Sequence, residues 1–452
     1  MRLSSSLYGV ATMQRCCLIA IVGLTLTFVA EVSAQDRKTK VLNDRDTFAK
    51  NDVWLYNDLD AAFAEAKRSG KLLLVVFRCI PCEACSHFDK QLLDEQDHLR
   101  DLLDQFVCVR VVKANGLDLN LFQFDYDQSF HAMFFNADRT IYGRYGTRSQ
   151  HKEDDDMTLA GFRKAMEAVL KLHQGYPKNK ASLKSKSGGK VAFEAPEDMP
   201  GMKGKYTSRL DYEGNVVQSC IHCHQIRDAE RVNYRNEGKE LPEKVLYPYP
   251  LPSVIGLTMD PGECATIMVV EKGSIADKAG LQAGDRLLEL GTSGPLISTA
   301  DIQWVLHNAP SEAKLTAKYQ RGDSSRSAVL TLPSGWRTKS DLAWRPTTWD
   351  LRRMALGGLW LKDLTDDERA QRSLDNESMA LWVKHLGQFG EHAVAKNAGF
   401  QKDDVIVVAG TATQRWSETE LIAAALKQKR GEKLDLTVLR GKERVELKLP
   451  LQ

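Results

Sequence analysis

The stretch Phe77-Arg-Cys-Ile-Pro-Cys-Glu-Ala-Cys-Ser-His-Phe88 constrains the fold more than any other part of the chain. An apolar run from Leu72 to Phe77 leads into it, and a predicted helix from about Cys85 to Leu93 leads out. A strand that ends in Cys-x-x-Cys at a helix start builds a reactive dithiol. Unpaired N–H groups and the positive end of the helix dipole stabilise a thiolate there. A second cysteine one turn on then attacks the mixed disulfide that the first one forms. Cys82 is read as the attacking thiol and Cys85 as the resolving one. Cys79 makes a second Cys-x-x-Cys pair with Cys82, but it lies before the helix, where the dipole helps less. The bland counterpart is a purely structural disulfide.

The N-terminus decides how cysteines are read. Residues 1–34 have the build of a secretory signal peptide. Arg2 and Arg15 supply positive charge, Leu18 to Ala30 is apolar, and Val32-Ser-Ala34 offers small residues before a cut at Gln35. The apolar core is short for a permanent anchor, although an uncleaved anchor stays open. Export, to a periplasm or outside the cell, is therefore expected, with no transmembrane segment in the mature chain. Of nine cysteines, Cys16 and Cys17 precede the cut and seven remain, an odd count that leaves at least one thiol free or in use. A net charge of +2 gives no global field for nucleic acid. Residues 177–195 are basic and rich in Ser and Gly, and read as a solvated linker.

Residues 51–176 read as helix, strand, helix, strand, then a hairpin and a closing helix: Asp58–Ser69, Leu72–Phe77, the cysteine helix, Phe106–Val112, His131–Phe135, Thr140–Tyr145 and Met157–His173. With Gly70-Lys-Leu-Leu-Leu-Val-Val-Phe77, Cys82-Glu-Ala-Cys85 and Phe134-Phe-Asn-Ala-Asp138, this region resembles the thioredoxin superfamily. The resemblance implies dithiol exchange at Cys82 and Cys85. Three positions depart from the family. Pro81 replaces the tryptophan before the first cysteine, Val76 the buried acid, and Phe130 the cis-proline. His131 or His87 is a substitute proton acceptor, and the missing proline leaves room for a copper-type metal at the thiols. Cys108, on a predicted buried strand, is expected in the core.

Residues 196–250 carry a second thiol motif, Cys220-Ile-His-Cys223-His224. Two thiols three residues apart, followed by an imidazole, suit addition to haem vinyl groups and axial ligation of iron. The motif resembles the c-type cytochrome attachment site. That implies covalent haem c on Cys220 and Cys223, with His224 as the metal ligand. Met199, Met202 and Met259 are the sixth-ligand candidates. A disulfide and a zinc site are the alternatives.

Residues 251–335 and 350–452 hold a loose repeat. Lys278-Ala-Gly-Leu-Gln-Ala-Gly-Asp-Arg-Leu-Leu288 recurs as Asn397-Ala-Gly-Phe-Gln-Lys-Asp-Asp-Val-Ile-Val407, and each copy is followed by a helix and a strand pair. Both resemble PDZ domains of the permuted form found in bacterial exported proteases, the second less closely, with Asp403 where the first copy has Gly284. The resemblance implies capture of partner C-termini by strand addition. Ile255, Gly256, Leu257, Ile302 and Leu306 form the first groove, and Gly357, Gly358, Leu359, Leu421 and Ala425 the second. Self-occupied grooves that act as spacers are the counter-reading. No Gly-x-Ser-Gly-Gly loop is present, so a protease is not expected. Trp336, Trp344 and Trp349 are assigned to packing.

The fold class expected is multidomain α/β and α+β: thioredoxin-like fold, short helical haem-c-like segment, two β-rich PDZ-like modules. The function expected is an exported thiol-disulfide oxidoreductase or redox relay that binds exported proteins or peptides, with a redox partner. The runners-up are a non-enzymatic scaffold with an inert thioredoxin fold, and a haem or copper electron-transfer protein.

Overall fold

The computed structural model describes residues 37–80 and 86–452. The signal-peptide reading and both cysteines of the first motif, Cys82 and Cys85, lie outside the described residues.

The first unit is a five-stranded sheet in the order β1-β3-β2-β4-β5, formed by Trp54–Tyr56, Leu72–Arg78, Phe106–Val111, Phe130–Phe135 and Ile141–Tyr145 numbered in chain order. The first three strands are parallel, and β4 and β5 run antiparallel. Every residue of β2 is buried because both faces are covered, which explains its unbroken apolar run. Side chains alternate: Leu72, Leu74 and Val76 enter one core, Leu73, Val75 and Phe77 the other. Helices Ser86–Asp94 and Leu159–His173 cover the first face, and Leu59–Ser69 covers the second. The last begins where Asp58 accepts the Ala61 N–H at 2.9 Å and ends at Gly70, whose φ of 71° stops the helix.

Two expected boundaries give way. The segment 196–250, expected as a unit of its own, completes the second core of this sheet with Met199, Met202, Ile221, Ile226 and Ala229. The basic stretch 177–195, expected as a solvated linker, buries Leu183 and Lys186. The Lys186 ammonium lies 2.6 Å from Asp301 on helix Thr299–Asn308 of the next unit. A lysine in a polar run gives no sign of burial until its partner, more than a hundred residues away, is in place.

The second unit contains β6 to β10: Leu257–Met259, Ile267–Val270, Arg286–Leu290, Ala313–Arg321 and Ser324–Leu332. The third contains β11 to β15: Leu359–Asp363, Leu381–Leu386, Val405–Ala409, Lys433–Arg440 and Glu443–Pro450. The hairpin turns fall on Gly322-Asp323 and Gly441-Lys442, where glycine supplies a positive φ.

The repeat holds at the level of single bonds. Arg321 grips Asp285 through two 2.7 Å bonds and the Gly280 carbonyl at 2.9 Å. Arg440 does the same with Asp404, at 2.9 and 2.8 Å, and the Gly399 carbonyl at 2.9 Å. Asp403 adopts φ 70° where Gly284 has 86°, so the second copy keeps the left-handed turn without glycine. Holding a non-glycine residue there costs about 1–2 kcal/mol.

A buried charge hub ties the units together. Arg345 contacts Asp125 at 2.9 Å, Asp127 at 2.8 Å and the Pro248 carbonyl at 2.7 Å. Arg231 donates to the carbonyls of Val245, Leu246 and Thr347. Trp336 is core, as expected, whereas Trp349 is 45% exposed and edges onto Trp360.

Candidate functional site

β2 delivers the chain to Cys79, whose N–H extends the β2–β4 ladder by donating to the Ser129 carbonyl at 3.0 Å. Helix Ser86–Asp94 takes up the chain after residue 85. The missing cis-proline is replaced by an ordinary trans bond before Phe130, which is wholly buried and edges onto Phe88. Arg78 donates to the carbonyls of Cys79 and Ser129, and so braces the strand end against this loop.

The buried acid absent at Val76 has a counterpart elsewhere. Asp89, on the helix after the dithiol, pairs with Arg110 at 2.7 and 2.9 Å and with Arg78 at 3.1 Å. Arg110 also holds Asp44 of the helix over 37–48 at 2.8 Å. Burial alone would raise the Asp89 carboxyl, but bonds and charge from Arg110 and then Arg78 outweigh it and hold it below the usual carboxylate range. Asp89 is thus a locked anion rather than a proton carrier. Sequence reading missed it, although charged residues ending or interrupting apolar strands, Arg78 and Arg110, were the available signal.

Both proposed proton acceptors have partners of their own among the described residues. His131 is buried, hydrogen-bonds Gln128 at 2.7 Å and stacks on Phe124 at 4.6 Å. Burial and then the charge of Arg144 push its pKa well below the usual imidazole value. His87 is exposed and bonds Gln91 at 2.9 Å. The His222 imidazole reaches a thiol: its Nδ1 lies 3.2 Å from Cys79 Sγ. Burial, then the neighbouring His224 and Arg37, lower its pKa to about 4, so it is neutral at pH 7.

His222 is brought there by the second motif. Asn115 accepts the Ile221 N–H at 2.7 Å, and the Ile221 carbonyl accepts from Ala114 at 2.9 Å. The motif is therefore pinned to the thioredoxin-like sheet, with helix Cys223–Asn236 running away from it. Cys220 is 8% exposed, with Sγ against the carbonyls of Val112 and Ile221, and Cys223 packs on the second core. Burial pushes both thiols up to about 12. His224 faces Asp228 at 3.4 Å.

This arrangement does not fit a covalent haem. The Cys220 sulfur is turned into protein, and Cys223 is partly buried against the second core. The cleft of about 440 Å³ beside the helix is lined by Met199, Ile226, Arg227 and Glu230, and not by Cys220, Cys223 or His224. Met202 is buried in the second core and Met259 in the core of the next unit. Among the described residues, no group of three or more His, Cys, Asp or Glu side chains is placed to hold a metal ion. Cys108 is buried, and burial raises its thiol, in line with a core role.

In the second unit, Gly256 closes the short helix Pro252–Ile255 with φ 83°, and a Cβ there would strike Ser274. Ile255 and Leu257 are buried beside it, and Ile302 and Leu306 lie in the core beneath. β6 pairs with β7, and helix Thr299–Asn308 carries Ile302 and Leu306 into the same core. In the third unit, Gly357 and Gly358 have φ of 58° and 90°, Leu359 is buried after them, and Leu421 and Ala425 are fully buried.

Comparison with known proteins follows this geometry. Residues 54–137 match the thioredoxin-like family model, and residues 266–321 match the PDZ domain model. The chain carries a thioredoxin-like domain and a PDZ domain. The first suggests redox activity and the second implies peptide binding. No curated protein matches the chain. Two solved structures of an HtrA-type protease, AlgW, are similar to parts of it. The variant with a decapeptide has 16% identity, covering 30% of this chain and 40% of that one, with a TM-score of 0.20. The form with a tripeptide has 17% identity, covering 29% and 42%, with a TM-score of 0.19. The chain thus spans about two fifths of the length of those proteins, and at such scores the likeness carries no argument. No helix among the described residues is long and apolar enough to cross a membrane.

Proposed function

We propose that this chain is an exported thiol-disulfide oxidoreductase that recruits partners by their C-terminal tails. The observation that carries the reading is the contact between Cys79 and His222. It joins the second thiol motif to the end of β2, where the Cys82–Cys85 motif begins.

In the proposed reaction the Cys82 thiolate attacks a partner disulfide. One partner sulfur becomes bonded to Cys82 and the other leaves as a thiolate that takes a proton. Cys85 then attacks Cys82, a Cys82–Cys85 disulfide forms, and the second partner thiol is released. Two electrons pass to the partner. The reverse sequence oxidises it. The guanidinium of Arg78 and the neutral imidazole of His222 supply positive charge and a hydrogen bond at this end of the sheet. Covalent haem on Cys220 and Cys223 is not part of the reading, because the Cys220 sulfur packs against the Val112 and Ile221 carbonyls.

The first PDZ groove supports the coupling. A tail whose carboxylate sits at Gly256 and whose chain lies along β6 has its upstream residues directed past Met259. There Asp260, Pro261 and Ser298 to Ala300 meet Tyr145, Gly146, Thr147 and Met157 of the thioredoxin-like unit. Thr158 donates to the Pro261 carbonyl at 3.0 Å across this junction. Gly146 in turn lies against Phe130 and His131, beside the strand end that carries Cys79.

The test is capture. A Cys85→Ala chain, incubated with an oxidised peptide and then alkylated, should retain that peptide in a reductant-sensitive bond to Cys82. An adduct that maps to Cys220 or Cys223, or no adduct, overturns the assignment.

A further inference from the structure

The two repeat copies share their turn arginines, their acidic anchors and their capped groove helices, but they differ at the groove itself. Ser298 caps the first groove helix and Thr299 follows, whereas Ser417 caps the second and Glu418 follows. Positions 418, 421 and 425 share one helical face, as do 299, 302 and 306. Glu418 therefore stands on the face that carries the groove residues Leu421 and Ala425.

Glu418 does not project into solvent. It is 5% exposed, and its Oε1 accepts the Leu361 N–H at 2.7 Å. Arg352 holds the same carboxylate with two bonds of 2.9 and 2.6 Å. Leu361 lies on β11, the edge strand of its sheet, paired on its other side with β12. Counted from the glycine loops, Leu361 corresponds to Met259 of β6. Edge N–H groups are what an added strand must pair with. Glu418 occupies one of them from inside the space a client strand would enter.

The bond is firmly supported. Arg352 comes from helix Thr348–Leu356, which runs into the Gly357-Gly358-Leu359 loop. Its guanidinium lies over Trp349 at 4.9 Å and Trp360 at 5.6 Å. A buried pair persists only with good geometry and extra hydrogen bonds, and this one has the two-point arginine contact and the Leu361 N–H. The first copy has no carboxylate at the matching position, Thr299.

We infer that the third unit is a latched peptide module: the Arg352–Glu418 pair closes its groove by taking the Leu361 N–H, and the first groove alone takes a partner's tail. The inference rests on the reading of both copies as C-terminal tail binders, and it assigns recognition to one of them.

The experiment counts tails. The probes are decapeptides ending in a free Val, Leu or Phe carboxylate, with C-terminal amides as controls. They are titrated calorimetrically into the full chain and two variants, Glu418→Thr and the pair Arg352→Met with Glu418→Thr. The double variant removes both buried charges together and so keeps a folded protein in the comparison. The wild-type chain should bind one tail and each variant two. An equal count in wild-type and double-variant chains overturns the latch. A wild-type count of zero overturns tail binding by the first module, and the gain or absence of one site in the double variant still decides the latch. Amide exchange gives a reading without mutation: Leu361 should exchange at least a hundredfold more slowly than an open edge amide, and exchange at the open rate overturns the inference.

Discussion

The Sγ of Cys79 and the Nδ1 of His222 lie 3.2 Å apart, although 143 positions separate them in the chain. One belongs to the strand end that leads into the Cys82–Cys85 motif, the other to the Cys-x-x-Cys-His motif. The contact joins the second motif to the strand end that leads into the first, and makes His222 the imidazole at Cys79.

Replacing His222 should therefore change the chemistry of Cys79. A hydrogen bond worth about 1 kcal/mol corresponds to a five- to tenfold change in thiolate population. His222→Ala should change iodoacetamide labelling of Cys79 at pH 7 by about that factor, read by mass spectrometry of the Cys79 peptide. Unchanged labelling contradicts the pairing.

The same imidazole sets a pH dependence. Its folded pKa, about 4, lies below the ordinary His value near 6.5. Below the latter the unfolded chain binds a proton that the folded chain does not, so stability rises with pH through this window and is lost as pH falls from about 6.5 towards 4. The loss from His222 is up to about 3 kcal/mol. His131 and His307, both lowered by burial, act in the same direction. Urea midpoints should drop between pH 7.5 and 5.0, and His222→Ala should reduce the drop.

Lys186 tests the docking of the supposed linker. Lys186→Ala leaves Asp301 buried with two backbone N–H partners, Arg144 and Ile297, but without its cation. Breaking a buried pair in this way costs about 3–5 kcal/mol. A solvated linker lysine would change stability by less than about 0.5 kcal/mol. A denaturant titration separates the two.

For haem, the buried Cys220 and the partly buried Cys223 predict a chain without covalent haem even when it is made alongside the attachment machinery. An absorbance spectrum should lack a Soret band. A Soret band that survives acid–acetone extraction contradicts the arrangement.

Much of the fold was legible because it rests on local signals. Leu72–Phe77 announced a strand by its unbroken apolar run, Asp58 and Gly70 bracketed a helix, and Ala-Gly-Leu with its echo Ala-Gly-Phe exposed the repeat. What was not legible depends on partners far along the chain. Lys186 reads as a linker residue until Asp301 is beside it. Asp89 reads as a helix-surface acid until Arg78 and Arg110 surround it. Glu418 reads as an ordinary first-turn acid until Leu361 and Arg352 meet it. Cys220-Ile-His-Cys-His matches a haem motif at its three specified positions, and only three-dimensional packing turns the Cys220 sulfur inward.

The most direct measurement of the central claim is disulfide reduction by Cys82→Ser. Insulin reduction driven by dithiothreitol should proceed faster with the wild-type chain than without it, and Cys82→Ser should bring the rate down to the uncatalysed one. A Cys82→Ser chain that is as active as wild type contradicts the account.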